Sequence, residues 1–338
     1  MGIGIRPVWV AAALVAATIP LAARPAAVLR SISAIPPEIS GRFRDAAAFA
    51  QSASGQYYVF DRRAHAVYGV DPQQTRTWKI VEIGEEPGRI IDPTAFSLEP
   101  HGTFVVADAP RQQERIQIFN STGARIGGFT LPGRLKPLVM IGNSVVSGIS
   151  ALQYTGRAIL MNQPEAGALV AEYLLSGGVN RTFGRLRATG HEDDPDLHLA
   201  LNTGWPLVDP TGGFYFVFQA GTPVFQKYDG AGRLLWERHI EGREIDDLVA
   251  AQPTAWKRTA TGERPLVSAI VRAAAVDPGG RLWVSFTVPF TYVFDRDGDK
   301  IATLQLRGAG ILAPTSLFFS STTRLLVAPG LYEFSAPR

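Results

Sequence analysis

The chain of 338 residues contains no cysteine. That absence excludes disulfides, thiol catalysis, cysteine-ligated metals and a lipid-modified cysteine near the N-terminus. A dense basic run is also missing: 33 basic side chains face 30 acidic ones, a formal net charge of +3, too even a balance to track the phosphates of a nucleic acid. The main apolar run, Val8 to Ile19, is too short for a comfortable membrane span. Nor is there a Ser/His/Asp arrangement with a local signature, a phosphate-cradling loop, or a carboxylate pair assignable as acid and base.

What is present begins with an address. Arg6, the apolar run and Pro20-Leu21-Ala22-Ala23 have the order of a secretory signal over residues 1–23. This predicts an exported, periplasmic or extracellular protein with cleavage near Ala23 and no stable membrane span afterwards; an uncleaved anchor is the other reading. Without disulfides such a protein relies on its core, and a chain of this size can supply one. Hydrophobic residues make up 46% of it, and its 34 glycines and 24 prolines are what many short strands and turns require. Arginine greatly outnumbers lysine, through either many bidentate anion contacts or a genome-wide codon bias.

The grammar of the chain is clearest from Gly84 to Gly123. Pro93 to Leu98 reads as a strand, Glu99-Pro100-His101-Gly102 as a turn, Thr103 to Ala107 as a second strand, and Arg115 to Phe119 alternates at period two as a third. Asn120-Ser121-Thr122-Gly123 is a tight turn before Ala124 to Leu131. The unit before it repeats at a constant offset of 47: Asp45 with Asp92, Phe49 with Phe96, Gly55 with Gly102, Asp61 with Asp108. Phe119-Asn120-x-x-Gly123 returns as Tyr228-Asp229-x-x-Gly232 and Phe294-Asp295-x-x-Gly298. Four short strands with tight connections make one propeller blade. The third unit is expected at Leu138–Ile141, Ser144–Gly148, Arg157–Met161 and Ala168–Leu175. The last, from Pro314, has three strands at most, so Val28–Ile35 or Ile39–Phe43 is expected to complete it. The reading is an all-β, six-bladed β-propeller of four-stranded blades, residues 24–338, with its ring closed by an N-terminal strand.

Pro93, Gly102, Val105, Val106, Asp108, Arg115, Ile116, Ile118, Phe119 and Gly123 resemble the NHL repeat, in which a Pro-led strand is followed by a strand ending in Asp and a third of the form Arg-Ile-x-h-Phe. NHL repeats are generally interaction modules, so the resemblance implies a binding protein; RNA binding occurs among them, but the signal and the weak net charge argue against it here.

Two stretches, 177–203 and 241–268, break the spacing between one outer strand and the next inner strand. Connections of that kind share one face of a propeller with the second-to-third-strand loops, and long ones are often functional. The candidate ligand-binding residues on that face are Arg62, Arg63, His65, Asp92, Arg111, Arg115, Asn202 and Trp205. The arginines suit a carboxylate or phosphate, and Trp205 suits stacking. His191, Asp194 and His198 are candidate ligands for calcium or zinc, although Asp193-Asp194-Pro195 also reads as a helix start, as does Glu244 to Ala251. Trp256 is expected to pin the second stretch to the ring, and Trp236 and Trp283 to be core. No catalytic residue and no obligatory cofactor are assigned. Calcium-dependent lactonase and esterase propellers place Glu, Asn and Asp on inner strands around an axial metal, whereas the inner strands here carry mostly Ala, Thr, Phe, Leu and Val. The primary expectation is a monomeric, exported module binding a protein, peptide or glycan through the insertion-bearing face. A metal-dependent lactonase-, esterase- or lyase-like propeller is the alternative.

Overall fold

The computed structural model describes residues 26–133, 136–141, 144–251 and 266–337. The expected signal, residues 1–23, and Trp256 lie outside the described residues.

A strand β1 (Ala27–Ala34) and one helical turn α1 (Pro37–Ser40) lead into the first meander, β2 (Ala46–Gln51), β3 (Tyr57–Asp61), β4 (Ala66–Val70) and β5 (Thr77–Val81). The second is β6 (Ala95–Leu98), β7 (Phe104–Asp108), β8 (Arg115–Phe119) and β9 (Arg125–Thr130). A hairpin, β10 (Leu138–Ile141) and β11 (Ser144–Ser147), precedes β12 (Leu152–Tyr154), β13 (Ala158–Asn162), β14 (Val170–Leu174) and β15 (Val179–Phe183). Helix α2 (Pro195–Leu201) is followed by β16 (Gly204–Val208), β17 (Phe214–Phe218), β18 (Val224–Tyr228) and β19 (Leu234–His239). Helix α3 (Asp246–Ala250) and β20 (Val267–Ser268) come before β21 (Val271–Val276), β22 (Leu282–Phe286), β23 (Thr291–Phe294) and β24 (Lys300–Arg307). Short β25 (Ile311–Leu312), then β26 (Ser316–Ser321), β27 (Arg324–Ala328) and β28 (Tyr332–Ser335), complete the order.

The first four meanders are separate four-stranded antiparallel sheets. The last strands form one sheet in the order β21-β22-β23-β24-β1-β28-β27-β26, because β1 lies antiparallel to β28 and parallel to β24. The strand at the start of the chain thus fills the place left beside the three-stranded final meander. Pro37–Ser40 is helical, so Ala27–Ala34, and not Ile39–Phe43, has that role. First strands contact one another in the cycle β2, β6, β12, β16, β21, β26 and back to β2.

Middle strands such as Tyr57–Asp61, Phe104–Asp108 and Leu282–Phe286 are buried throughout, as short continuous apolar runs should be. Outer strands such as Arg125–Thr130 and Leu234–His239 are largely open to solvent. The core lies in layers between adjacent sheets: Phe60 stacks on Phe96 at 5.6 Å and Phe225 packs on Phe294 at 4.7 Å. A ring of this size is worth roughly 1.5–3 kcal/mol when fully buried. Trp283 is wholly buried, its Nε1 donating to Asp277, and Trp236 packs against the same layer as Phe225.

The repeated turns have one cause. Asn120, Asp229 and Asp295 each accept from backbone N–H groups two and four residues on, at 2.9–3.0 Å. Gly123, Gly232 and Gly298 follow with φ of 86°, 81° and 86°, a region in which an L side chain is strained. The offset of 47 also has a physical basis. Buried Asp61 accepts from the N–H of Arg44, and buried Asp108 from the N–H of Ile91, so one carboxylate ties each middle strand to the chain approaching its first strand.

The third unit differs from expectation. Its strands are β12 to β15, while the apolar hairpin Leu138–Ser147, expected to provide two of them, instead pairs through β10 with β20. Alternating apolar residues mark a strand without saying which sheet accepts it. Val179–Phe183, read as the start of an insertion, is the outer strand β15.

Candidate functional site

The cycle of first strands encloses a channel of about 580 Å³, within the range of small-molecule sites. Its wall is mostly Ala, Leu and Phe. Polar side chains along it hold neighbouring sheets together. Ser316 Oγ accepts from the Phe49 N–H at 3.2 Å, Ser97 Oγ from Tyr154 at 3.0 Å, and Gln153 Oε1 from Val208 at 2.6 Å. Consequently the charged lining residues, Arg44, Asp45, Arg62, Arg63 and Arg272, gather where the first strands begin.

Asp61 shapes this mouth from below by accepting from the N–H groups of Arg44, Asp45 and Ala64. Arg62 donates from Nε and Nη2 to Asp45 Oδ2, both at 3.3 Å. That pair is largely self-neutralised. Arg44 and Arg63 are exposed at the rim.

Arg272 is placed differently. Val271 pairs with Phe286 and Ala273 with Ser285, which makes Arg272 the extra residue of a β-bulge, a device that re-aims a side chain. The bulge is clamped: the Ile270 and Val271 N–H groups both donate to the Gln219 carbonyl, and the Thr287 N–H donates to the Ile270 carbonyl. Its Nε is buried with no hydrogen-bond partner among the described residues. Burial lowers the Arg272 pKa, Asp45 pulls it back up and Arg62 pushes it further down, yet a guanidinium stays cationic.

Trp205 occupies the corresponding second position of β16, and Thr315 immediately precedes β26. Trp205 Nε1 and Thr315 Oγ1 are likewise buried and unpartnered among the described residues. Residues on or beside three successive first strands, β16, β21 and β26, thus line the channel and each carry a buried donor with no partner among the described residues. An indole N–H and a guanidinium can only donate; their complement is an acceptor, best an anionic one.

Three elements buttress this side. Val139 of β10, Leu197, Ala200 and Leu201 of α2, and Val267 of β20 form one cluster with Ala220 and Ala269. The chain runs from β11, α2 and β20 into the channel strands β12, β16 and β21, so the cluster sets where those strands begin. Arg187 pins it, donating to the carbonyls of Leu201, Ala220 and Thr222 and lying over the Phe218 ring at 4.2 Å. Burial lowers its pKa to about 10.

Of the residues singled out from sequence, Arg62, Arg63 and Trp205 line the channel. His65 and Asp92 pair with each other at 3.7 Å, both with left-handed backbone. Arg111 forms an exposed pair with Glu85 at 2.8 Å. Arg115 is a buried strut, bidentate to Asp108 and bonded to the carbonyls of Glu85 and Arg89. Asn202 is fully buried, accepting from the Arg187 N–H and donating to the carbonyls of Arg187 and His198. Asp194 caps α2 by accepting from Leu197, with Pro195 in its first turn. His198 Nδ1 is 2.8 Å from Thr189 Oγ1, and the His191 N–H donates to the same hydroxyl at 3.2 Å. Among the described residues no group of three or more His, Asp or Glu side chains is arranged to hold a metal ion.

Arg272, Arg44 and Asp45 were missed as site residues. One sequence signal marks Arg272: Asp209 and Asp277 open equivalent turns, but Trp205 stands four residues before the first and Arg272 five before the second. The additional residue is the bulge.

No family model matches the chain, and no curated protein matches it. Solved structures do. A gluconolactonase from Xanthomonas campestris aligns with a TM-score of 0.50 at 14% identity, over 86% of this chain and 85% of that one. A streptogramin B lyase aligns with a TM-score of 0.51 at 11% identity, over 86% and 93%. At these identities the likeness is one of fold, and the fold is a β-propeller.

Proposed function

We propose that the chain is an exported, six-bladed β-propeller that acts as a binding module, and that the channel mouth receives an anionic group of its ligand. The closed cycle of first strands and the pairing of β1 with β28 support six blades. The observation that carries the ligand reading is Arg272, held by a clamped bulge with its Nε buried and unpartnered among the described residues, amid Arg44, Arg62 and Arg63 and only one lining carboxylate. A cation left so is costly unless an acceptor joins it.

The test is calorimetry with acetate, citrate and inorganic phosphate. Arg272→Met should weaken the best of these by about 10- to 100-fold, the worth of one charge-assisted hydrogen bond. Arg111→Ala, which removes an exposed pair away from the channel, should leave it unchanged. Equal affinity in the Arg272 variant, or no affinity in the parent protein for these three and for longer-chain carboxylates alike, refutes the reading.

The alternative, a metal-dependent lactonase- or lyase-like enzyme, draws on what the two similar structures are. The donors here do not fit an axial metal: the one lining carboxylate among the described residues, Asp45, is bonded to Arg62, and cations repel a cation. Equilibrium dialysis against calcium and zinc separates the readings, since one tightly held ion per chain favours the enzyme.

A further inference from the structure

The mouth and the wall of the channel differ in chemistry, and both must suit the ligand. We infer, resting on the anion-binding reading above, that the ligand is an organic monocarboxylate with an apolar chain or ring, its head seated on Arg272, Trp205 and Thr315 and its body in the channel.

The single charge of the head follows from the pairing of the cations. Arg62 is matched by Asp45, Arg44 and Arg63 are exposed, and among the described channel-lining residues Arg272 is the partly buried cation with no bonded carboxylate. One guanidinium with two neutral donors balances one negative charge, whereas a phosphate dianion needs two. Planar carboxylate oxygens, each accepting more than one bond, suit an indole N–H, a guanidinium N–H and a hydroxyl together.

The apolar body follows from the wall. Below the mouth the lining is Ala48, Phe96, Leu152, Leu207 and Leu317 among others, and the interspersed Ser97, Ser316 and Gln153 are engaged between sheets. Such side chains offer an alkyl or aryl body dispersion contacts and shelter from water.

The experiment is a calorimetric series on the whole protein with acetate, butyrate, hexanoate and octanoate, beside octyltrimethylammonium and inorganic phosphate. Each methylene buried should tighten binding about 3- to 4-fold, so octanoate should exceed butyrate by roughly 100-fold. Arg272→Met should weaken octanoate at least about 10-fold, and Arg272→Lys should recover part of the loss. Octanoate should also shift the tryptophan emission of the parent protein and leave that of Trp205→Phe unmoved. If phosphate or citrate binds in an Arg272-dependent way but octanoate binds no better than acetate, the monocarboxylate inference falls and anion binding stands. If octyltrimethylammonium binds as tightly as octanoate, the channel selects for apolarity alone, and both readings fall. The chain-length series uses the parent protein, so a variant that misfolds cannot hide the answer.

Discussion

Replacing Glu333 with alanine should open the closure of the ring, and the structure supplies the magnitude. Glu333 is 4% exposed. Its carboxylate accepts from Tyr57 Oη at 2.5 Å and from Arg324 Nη2 at 2.7 Å on both oxygens, with Nε at 3.1 Å. Arg324 also reaches Gln51 and Tyr57 of the first meander at 3.1 and 2.7 Å, so the carboxylate holds the arginine that joins the last sheet to the first. Removing one member of a buried pair costs about 3–5 kcal/mol. Arg324 has a side chain 34% exposed, so it rehydrates in part and the cost falls to about 2–3 kcal/mol. Urea denaturation of Glu333→Ala, Arg324→Ala, Tyr57→Phe and the two doubles with Glu333→Ala measures it. Coupling should be about 1 kcal/mol or more with Arg324 and smaller with Tyr57, a neutral partner that gives the carboxylate a single hydrogen bond. A loss below about 0.5 kcal/mol, or additive doubles, refutes the account of closure.

Two further outcomes follow from local geometry and from proton linkage. In the turn Asp229 to Gly232, Gly232→Ala forces positive φ on an L side chain and sets a Cβ 2.9 Å from that of Phe183, whereas Gly230 has open space; thermal melts should show a loss of about 1–3 kcal/mol for the first and almost none for Gly230→Ala, and equal effects would refute the assignment. Burial, first among the causes, raises the phenol pKa of Tyr57, Tyr58, Tyr215, Tyr228 and Tyr292, with Glu244 adding to the effect at Tyr292. Unfolded tyrosine ionises near pH 10, so above that pH the folded chain binds more protons than the unfolded one. Stability is therefore fully present below about pH 10 and declines as pH rises through and beyond it. Tyr292→Phe should soften the decline, and an onset near pH 8 would point to other groups.

The turns were legible because their cause is local. An Asn or Asp three residues before a Gly builds the same hairpin wherever it stands, and Asp61 and Asp108 show that the repeat offset encodes a hydrogen bond as well as a pattern. The start of α2 was readable for the same reason, Asp194 and Pro195 being adjacent. The third meander was misread because β10 and β11 have the alternation of blade strands, while their acceptor, β20, lies more than a hundred residues away in the sequence. Among site residues, Arg115 and Asn202 were polar and well placed, yet both are consumed by backbone partners that no spacing reveals.

The sequence by itself determined a repeated four-stranded unit, the absence of disulfides, the need for a strand from the start of the chain, and a mouth carrying arginines. These follow from periodicity, turn chemistry and composition, which act over a few residues. Only the tertiary structure decided which arginines are paired. Arg62 has Asp45, Arg111 has Glu85 and Arg115 has Asp108, while Arg272 stands on a bulge whose extra residue is invisible until β21 is paired with β22. Charge is a property of the residue; whether that charge is satisfied depends on neighbours that distant parts of the chain bring to it.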